Sequence, residues 1–252
     1  MKILAFLLGS SLILTTAFAQ NPAPADAKAA DGAAAPVPKR TVLKYTPPKG
    51  ATGGIRIDTD GGSRDGEKLP AMSVIAPKGP ATTTSEHPSL LWFQDGPIPE
   101  KFSKTARIDV TLLDPKTPKP LLKVSSPLAG NKQGGAGIHR IMLGKQKVTL
   151  EPGVAYKWTV ALVVDPLSRS QDGFTSASIQ RVPMTKELES ELKNAAPGDK
   201  AAVYAQNGVW YDAVEAITAE IDKAPKDAGL RKMRADLLAA NGLKEAAAYD
   251  KK

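Results

Sequence analysis

Between Leu69 and Pro183 short apolar runs alternate with clusters of Gly, Pro and Asp: AMSVIAP, SLLWFQD, RIDVTLLD, PLLKVSS, HRIMLG, QKVTL, YKWTVALVVD and TSASIQRVP. Several repeat with period two. Ile108, Val110 and Leu112 share one face of their run, and Tyr156, Trp158, Val160 and Leu162 share one face of the longest. Such alternation is what a strand half-buried on a sheet requires. Seven or eight short strands in this span predict an immunoglobulin- or fibronectin-like β-sandwich over residues 69–183 rather than a parallel α/β fold. The segment LEPGVAYKW, residues 150–158, has the turn, tyrosine and alternating strand of a tyrosine corner, in which the hydroxyl bonds back across the corner. Tyr156 is therefore read as structural, and Trp158 and Trp92 as core aromatics.

After Pro183 the apolar period becomes helical, over residues 184–248. Thr185 is placed to cap KELESELKNA, and Pro197-Gly198 ends that helix. A repeat follows. Ala205-Gln-Asn207-Gly208 returns as Ala239-Ala-Asn241-Gly242, Val203-Tyr204 is echoed by Leu237-Leu238, and Ala213 by Ala247, all at a spacing of 34. That is the tetratricopeptide period, and Gly208, Trp210, Ala213, Ile217 and Pro225 fall on its small, aromatic and terminal-proline positions. Trp210, Ala213, Val214, Ile217 and Ile221 make one helical stripe, so Trp210 is read as structural, and Asp227 is placed to cap the next helix. The repeat recurs fewer than the roughly three times a free solenoid needs. These hairpins must therefore pack on the sandwich or on the Thr185 helix.

The first residues follow neither period. Met1-Lys2, the apolar stretch Ile3–Thr16 and the small-x-small Ala17-Phe18-Ala19 predict a signal peptide over residues 1–19, with no membrane span once it is removed. Residues 20–48 read as a disordered Ala/Pro-rich spacer, and residues 49–68 as a Gly/Asp-rich irregular segment. A calcium loop beginning at Asp58 fails, because positions five, six and twelve are Gly62, Ser63 and Leu69. The expectation is a periplasmic or secreted protein.

Composition narrows the chemistry. There is no cysteine, which excludes disulfides, thiolate metal sites and a cysteine nucleophile. Basic residues exceed acidic ones by 8, and the excess concentrates between Glu100 and Lys147. Lys101, Lys104, Arg107, Lys116, Lys119 and Lys123 are the candidate contacts there for an anionic envelope polymer. The competing reading is that such lysines guard sheet edges. An exported protein is not expected to meet nucleic acid. The two histidines form no HExxH, and no GxSxG elbow or phosphate loop is present, so no metal or cofactor is expected. One acid–base pair remains as a catalytic candidate, Glu86-His87 within Ser85-Glu86-His87-Pro88. The same residues also suit a plain turn leading into SLLWF. Asp165, Arg169 and Asp172 similarly suit a loop-fixing ion pair.

Taken in order, Ser85-Glu86-His87-Pro88 with Trp92, Gly153-x-x-Tyr156-x-Trp158, Asp165-Pro166-x-x-Arg169-Ser170, Ile179-x-Arg181-Val182-Pro183 and Trp210-Tyr211-Asp212-Ala213 resemble a family of bacterial exported proteins catalogued as domain of unknown function 928. The resemblance spans residues 45–243. Members often carry cysteines where this chain has Val164 and the Ala71-Met72 region. The resemblance supports the architecture and implies no activity, cofactor or catalytic residue. The leading functional expectation is a non-enzymatic interaction or assembly module for an envelope protein. The alternative is the anionic-polymer module.

Overall fold

The computed structural model describes residues 41–252 apart from 49–55, 59–62, 65, 80, 129–134, 168 and 170–171. The expected signal peptide and most of the spacer therefore lie outside the described residues. The described residues form one compact unit of mixed β and α structure. Ten strands are described. β1 (Ser63–Arg64) and β2 (Glu67–Lys68) form a two-stranded ribbon. The rest are β3 (Met72–Val74), β4 (Thr82–Thr83), β5 (Ser89–Gln94), β6 (Arg107–Leu113), β7 (Leu122–Pro127), β8 (Gly137–Met142), β9 (Ala155–Val163) and β10 (Gly173–Arg181). They make a five-stranded sheet in the order β4-β10-β9-β6-β7 and a three-stranded sheet in the order β3-β5-β8. All pairings are antiparallel except β4 with β10.

Period two is realised where it is purest. On β6 the buried Ile108, Val110 and Leu112 pair with Leu162, Val160 and Trp158 of β9, so the two inward rows coincide. β5 breaks the alternation, since all six of its residues are buried. It is the middle strand of its sheet, and a strand covered on both faces reads as a continuous apolar run. QKVTL forms no strand. Leu143–Gln146 is a 3-10 turn, Lys147 follows with φ 56°, and the backbone donors of Val148 and Leu150 go to Leu143 and Glu86 rather than to a ladder. Its apolar residues are buried, but they line a turn.

Five helices follow: α1 (Lys186–Asn194), α2 (Lys200–Gln206), α3 (Trp210–Lys223), α4 (Ala228–Ala240) and α5 (Lys244–Asp250). Thr185 caps α1 by accepting from Leu188 N at 3.2 Å, and Asp227 caps α4 by accepting from Gly229 N and Leu230 N. The 34-residue echo appears as one turn used twice. After α2, Val209 N donates to Tyr204 O and Asn207 Nδ2 to Val203 O. After α4, Leu243 N donates to Leu238 O and Asn241 Nδ2 to Leu237 O. Gly208 and Gly242 supply the left-handed turn residue, with φ 76° and 77°.

One buried cluster joins both sheets, helices α2 to α5 and a segment assigned to the spacer. That assignment is corrected for residues 41–48. Leu43 and Tyr45 are buried, Thr46 N donates to Ala205 O at 3.0 Å, and the Tyr45 ring meets Trp210 edge-on at 5.0 Å. Two apolar residues among prolines are enough to hold it, although its composition is that of a loose tether. Burial pushes the Tyr45 hydroxyl up to about 12.

Candidate functional site

The site forms where α3 meets the sheets, and three consecutive residues determine how it sits. Trp210 Nε1 donates to Ile75 O, just beyond β3, at 2.9 Å. Tyr211 accepts from Trp158 Nε1 of β9 and donates to Ser178 O of β10, each at 2.9 Å. Asp212 accepts from Thr84 N at 3.1 Å and Thr84 Oγ1 at 2.8 Å, just beyond β4. Thr82 Oγ1 of β4 adds a bond to Gly208 O at 2.9 Å. Each anchor is a polar tip on a buried body, so helix position is set by hydrogen bonds whose loss would strand groups away from water.

Beside this anchorage lies a cleft of about 690 Å³. Its walls are the β4–β5 corner (Thr83, Thr84, Ser85, His87), the Leu143–Gln146 turn and the outer face of α3, where Asp212 and Glu215 are one turn apart. Met142, Met184 and Tyr204 supply apolar surface. Asp212 is partly buried, and burial raises its pKa against the lowering effect of the Thr83 and Thr84 hydrogen bonds. No cation pairs with it among the described residues. Glu215 Oε1 accepts from Arg140 at 3.3 Å, while Oε2 is buried with no hydrogen-bond partner among the described residues. Tyr204 is raised by burial and then by the charge of Asp212.

Glu86 and His87 do not work as a pair. Glu86 is taken by Arg181 Nη2 at 2.6 Å, and the same guanidinium donates from Nη1 to Leu150 O at 3.0 Å. His87 Nδ1 lies 2.8 Å from Val148 O, so that nitrogen donates there. His87 N in turn donates to Ser85 Oγ at 3.1 Å, which is the geometry of a turn leading into β5. His87 does line the cleft, but its carboxylate neighbours there come from α3. The Asp165–Asp172 loop lies at the far end of nine-residue β10, about 25 Å along the strand. There Arg169 pairs with Asp172 at 2.8 Å and Asp109 at 3.2 Å.

Tyr156 and Trp158 are buried on the same face of β9, and the Tyr156 hydroxyl accepts from Glu151 N at 3.0 Å. Trp92 is buried in β5 and stacks on His139 at 5.5 Å. The basic candidates are spread along the β6–β7 hairpin. Lys101 and Lys104 lie in the turns before β6, Arg107 at its start, Lys116 and Lys119 in the turn beyond its end, and Lys123 on the edge strand β7. Arg107 pairs with Asp109 at 3.0 Å and Lys116 with Glu151 at 3.1 Å. The Lys101 ammonium lies 4.9 Å from the centroid of the Phe102 ring. Asp212, Glu215 and the Thr83-Thr84 corner escaped reasoning from sequence. β4 has only two residues, both threonine, and polar strands give no apolar signal.

Among the described residues no helix is long and apolar enough to cross a membrane. No curated protein matches the chain. A family model described as domain of unknown function 928 does match it, over residues 53–250. Those residues take in both sheets, all five helices and every wall of the cleft. The chain belongs to the domain of unknown function 928 family.

Proposed function

We propose that this protein is an exported envelope protein acting without catalysis, as an interaction module that seats a protein partner in the cleft beside α3. The observation that carries this reading is the cleft itself: about 690 Å³ in volume, lined by polar and apolar side chains and bordered by the Trp210-Tyr211-Asp212 anchorage. Export rests on the signal-like residues 1–19. Two finer features of architecture belong to the same reading. The hydroxyl of Tyr156 bonding back to Glu151 N supports an immunoglobulin-like sandwich, and the turn repeated at 34 residues supports tetratricopeptide-like hairpins. Catalysis by Glu86 and His87 is disfavoured because Arg181 holds the carboxylate and Val148 O holds the ring. The anionic-polymer alternative is weakened by the internal pairing of Arg107 and Lys116 and by the spread of the other lysines over both ends of β6.

The test is affinity purification from the exported fraction with the wild-type chain and with Ala216→Phe, which puts a ring into the cleft from α3. A partner captured by the first and lost by the second, at equal melting temperature, is expected. Capture indifferent to Ala216→Phe would move the binding surface elsewhere. Turnover of a small substrate without any partner would overturn the reading, and salt-sensitive retention on an acidic polysaccharide would restore the alternative.

A further inference from the structure

The chemistry of the cleft selects the kind of group it holds. Its lining carboxylates, histidine and lysine are Asp212, Glu215, His87 and Lys145. The two carboxylates stand on one face of α3 at spacing i, i+3, which brings their side chains side by side. Asp212 is bonded only by neutral donors among the described residues, the backbone and hydroxyl of Thr84 and the hydroxyl of Thr83. Glu215 shares its one cation, Arg140, with Asp222, which holds that guanidinium more closely at 2.8 Å against 3.3 Å. Its second oxygen is buried and has no hydrogen-bond partner among the described residues, although a buried carboxylate oxygen ordinarily finds a donor. His87, with Nδ1 committed to Val148 O, presents Nε2, which is an acceptor in the neutral ring. Against these acceptors the lining carries one cation, Lys145, exposed on the Leu143–Gln146 turn. Met142, Met184 and Tyr204 add aliphatic and aromatic surface of the kind that accommodates an alkyl chain and attracts a cation to a ring face.

From this we infer that the cleft binds an organic cation, an alkylammonium or guanidinium group carried on an aliphatic stem, with Asp212 and Glu215 as its counter-charges. The inference rests on the proposed cleft-binding function and narrows it to a lysine or arginine side chain of the partner. A free small amine would present the same chemistry, and the experiment separates the two sources.

The protein has five methionines, and two of them, Met142 and Met184, line the cleft while Met72 and Met233 do not. Methyl-labelled methionine therefore gives both a reporter and an internal reference in one spectrum. n-Butylammonium is expected to shift the Met142 and Met184 signals saturably and leave Met72 and Met233 in place. Butyrate is expected to shift none of them. The double variant Asp212→Asn/Glu215→Gln is expected to weaken the ammonium by on the order of tenfold or more, as the loss of hydrogen bonds to a charged group should. Should that variant misfold, Met72 and Met233 will report it. Lys145→Gln, at an exposed position, then carries the test, because removing a like charge should tighten the ammonium by roughly twofold. A blocked Ala-Ala-Lys-Ala-Ala peptide binding more tightly than n-butylammonium identifies a protein side chain as the source. Equal affinity identifies a free amine. Butyrate shifting the cleft signals as strongly as the ammonium, or no shift with either, overturns the inference. If Ala216→Phe still abolishes partner capture in that event, the cleft-binding function stands and only its cationic ligand falls.

Discussion

The two helical hairpins, α2–α3 and α4–α5, share a turn and differ in almost everything that holds them. Trp210, Tyr211 and Asp212 open α3, and at a spacing of 34 their counterparts opening α5 are Lys244, Glu245 and Ala246. The first hairpin is tied outward, by hydrogen bonds into both sheets. The second is tied mainly inward. Arg234 of α4 grips Asp250 of α5 through two bonds of 2.7 Å, and its third arm donates to Thr218 of α3 at 3.0 Å. The two charged side chains are only 9% and 3% exposed. A repeated backbone device thus leaves open whether a hairpin serves as a joint or as a cap. Its first helical turn decides.

The comparison breaks most sharply at its aromatic anchor. Trp210→Ala should cost about 3–5 kcal/mol, because it leaves a cavity in the core and strands the Ile75 carbonyl. Its counterpart Lys244→Ala should stay within about 0.5 kcal/mol, as a surface change does. Denaturant unfolding of the pair measures the difference. Near-equal losses would mean the hairpins are equivalent after all.

Asp250→Ala should destabilise by about 3–5 kcal/mol by leaving Arg234 buried without its partner. Converting Arg234 and Asp250 together to apolar residues of similar size should recover most of that loss, which thermal melts of the single and double variants will show. The glycines come next. At Gly242 an added Cβ meets nothing closer than 3.8 Å, so Gly242→Ala carries only the left-handed backbone penalty of about 1–2 kcal/mol. At Gly208 the same Cβ would lie 2.9 Å from Thr46 O and 3.1 Å from Pro48 N. Gly208→Ala should therefore cost at least about 1 kcal/mol more than its counterpart and loosen the 41–48 segment, which limited proteolysis will detect.

The smallest effect concerns Asp212. Asparagine can accept from Thr84 N and donate to Thr84 Oγ1, so Asp212→Asn should change stability by less than about 1 kcal/mol near pH 7. Burial raises the folded pKa of Asp212 above its unfolded value, near 3.9. Relative to the unfolded chain, burial therefore penalises the ionised form in the fold. As pH falls from 7 through the folded pKa toward 4, the wild type should gain stability relative to Asp212→Asn. Urea unfolding of both at pH 7 and pH 4 tests the sign.

Much of this contrast is legible in the amino-acid pattern alone. The period of 34 locates both turns, and the stripe from Trp210 to Ile221 marks the buried face of α3. Period two marks β6 and β9 for the same reason, because a repeating apolar pattern reports a face directly. The failures share a cause as well. QKVTL has strand composition but takes its backbone partners from a turn, and Thr82-Thr83 forms a buried strand without apolar residues. Glu86 and His87 are neighbours in sequence whose partners, Arg181 and Val148, are distant in it. Asp212 and Glu215 look like ordinary helix-surface acids, and only the arrival of β4, the Leu143–Gln146 turn and Tyr204 around them makes a cleft. Long-range pairing of polar groups has no local periodicity to betray it.

The anchorage at Trp210-Tyr211-Asp212 also sets an order of events for the newborn chain. The last strand closes at Arg181, yet the Trp158 indole N–H and the carbonyls of Ile75 and Ser178 find their partners only at residues 210 and 211. Until those residues are delivered, these groups are left to water and an apolar face of the sheets stays uncovered. A chain truncated at residue 184 should stay loose, and a full one should fold late and all at once. For the export proposed above, that delay would keep the chain slack during the passage and let it close on the far side.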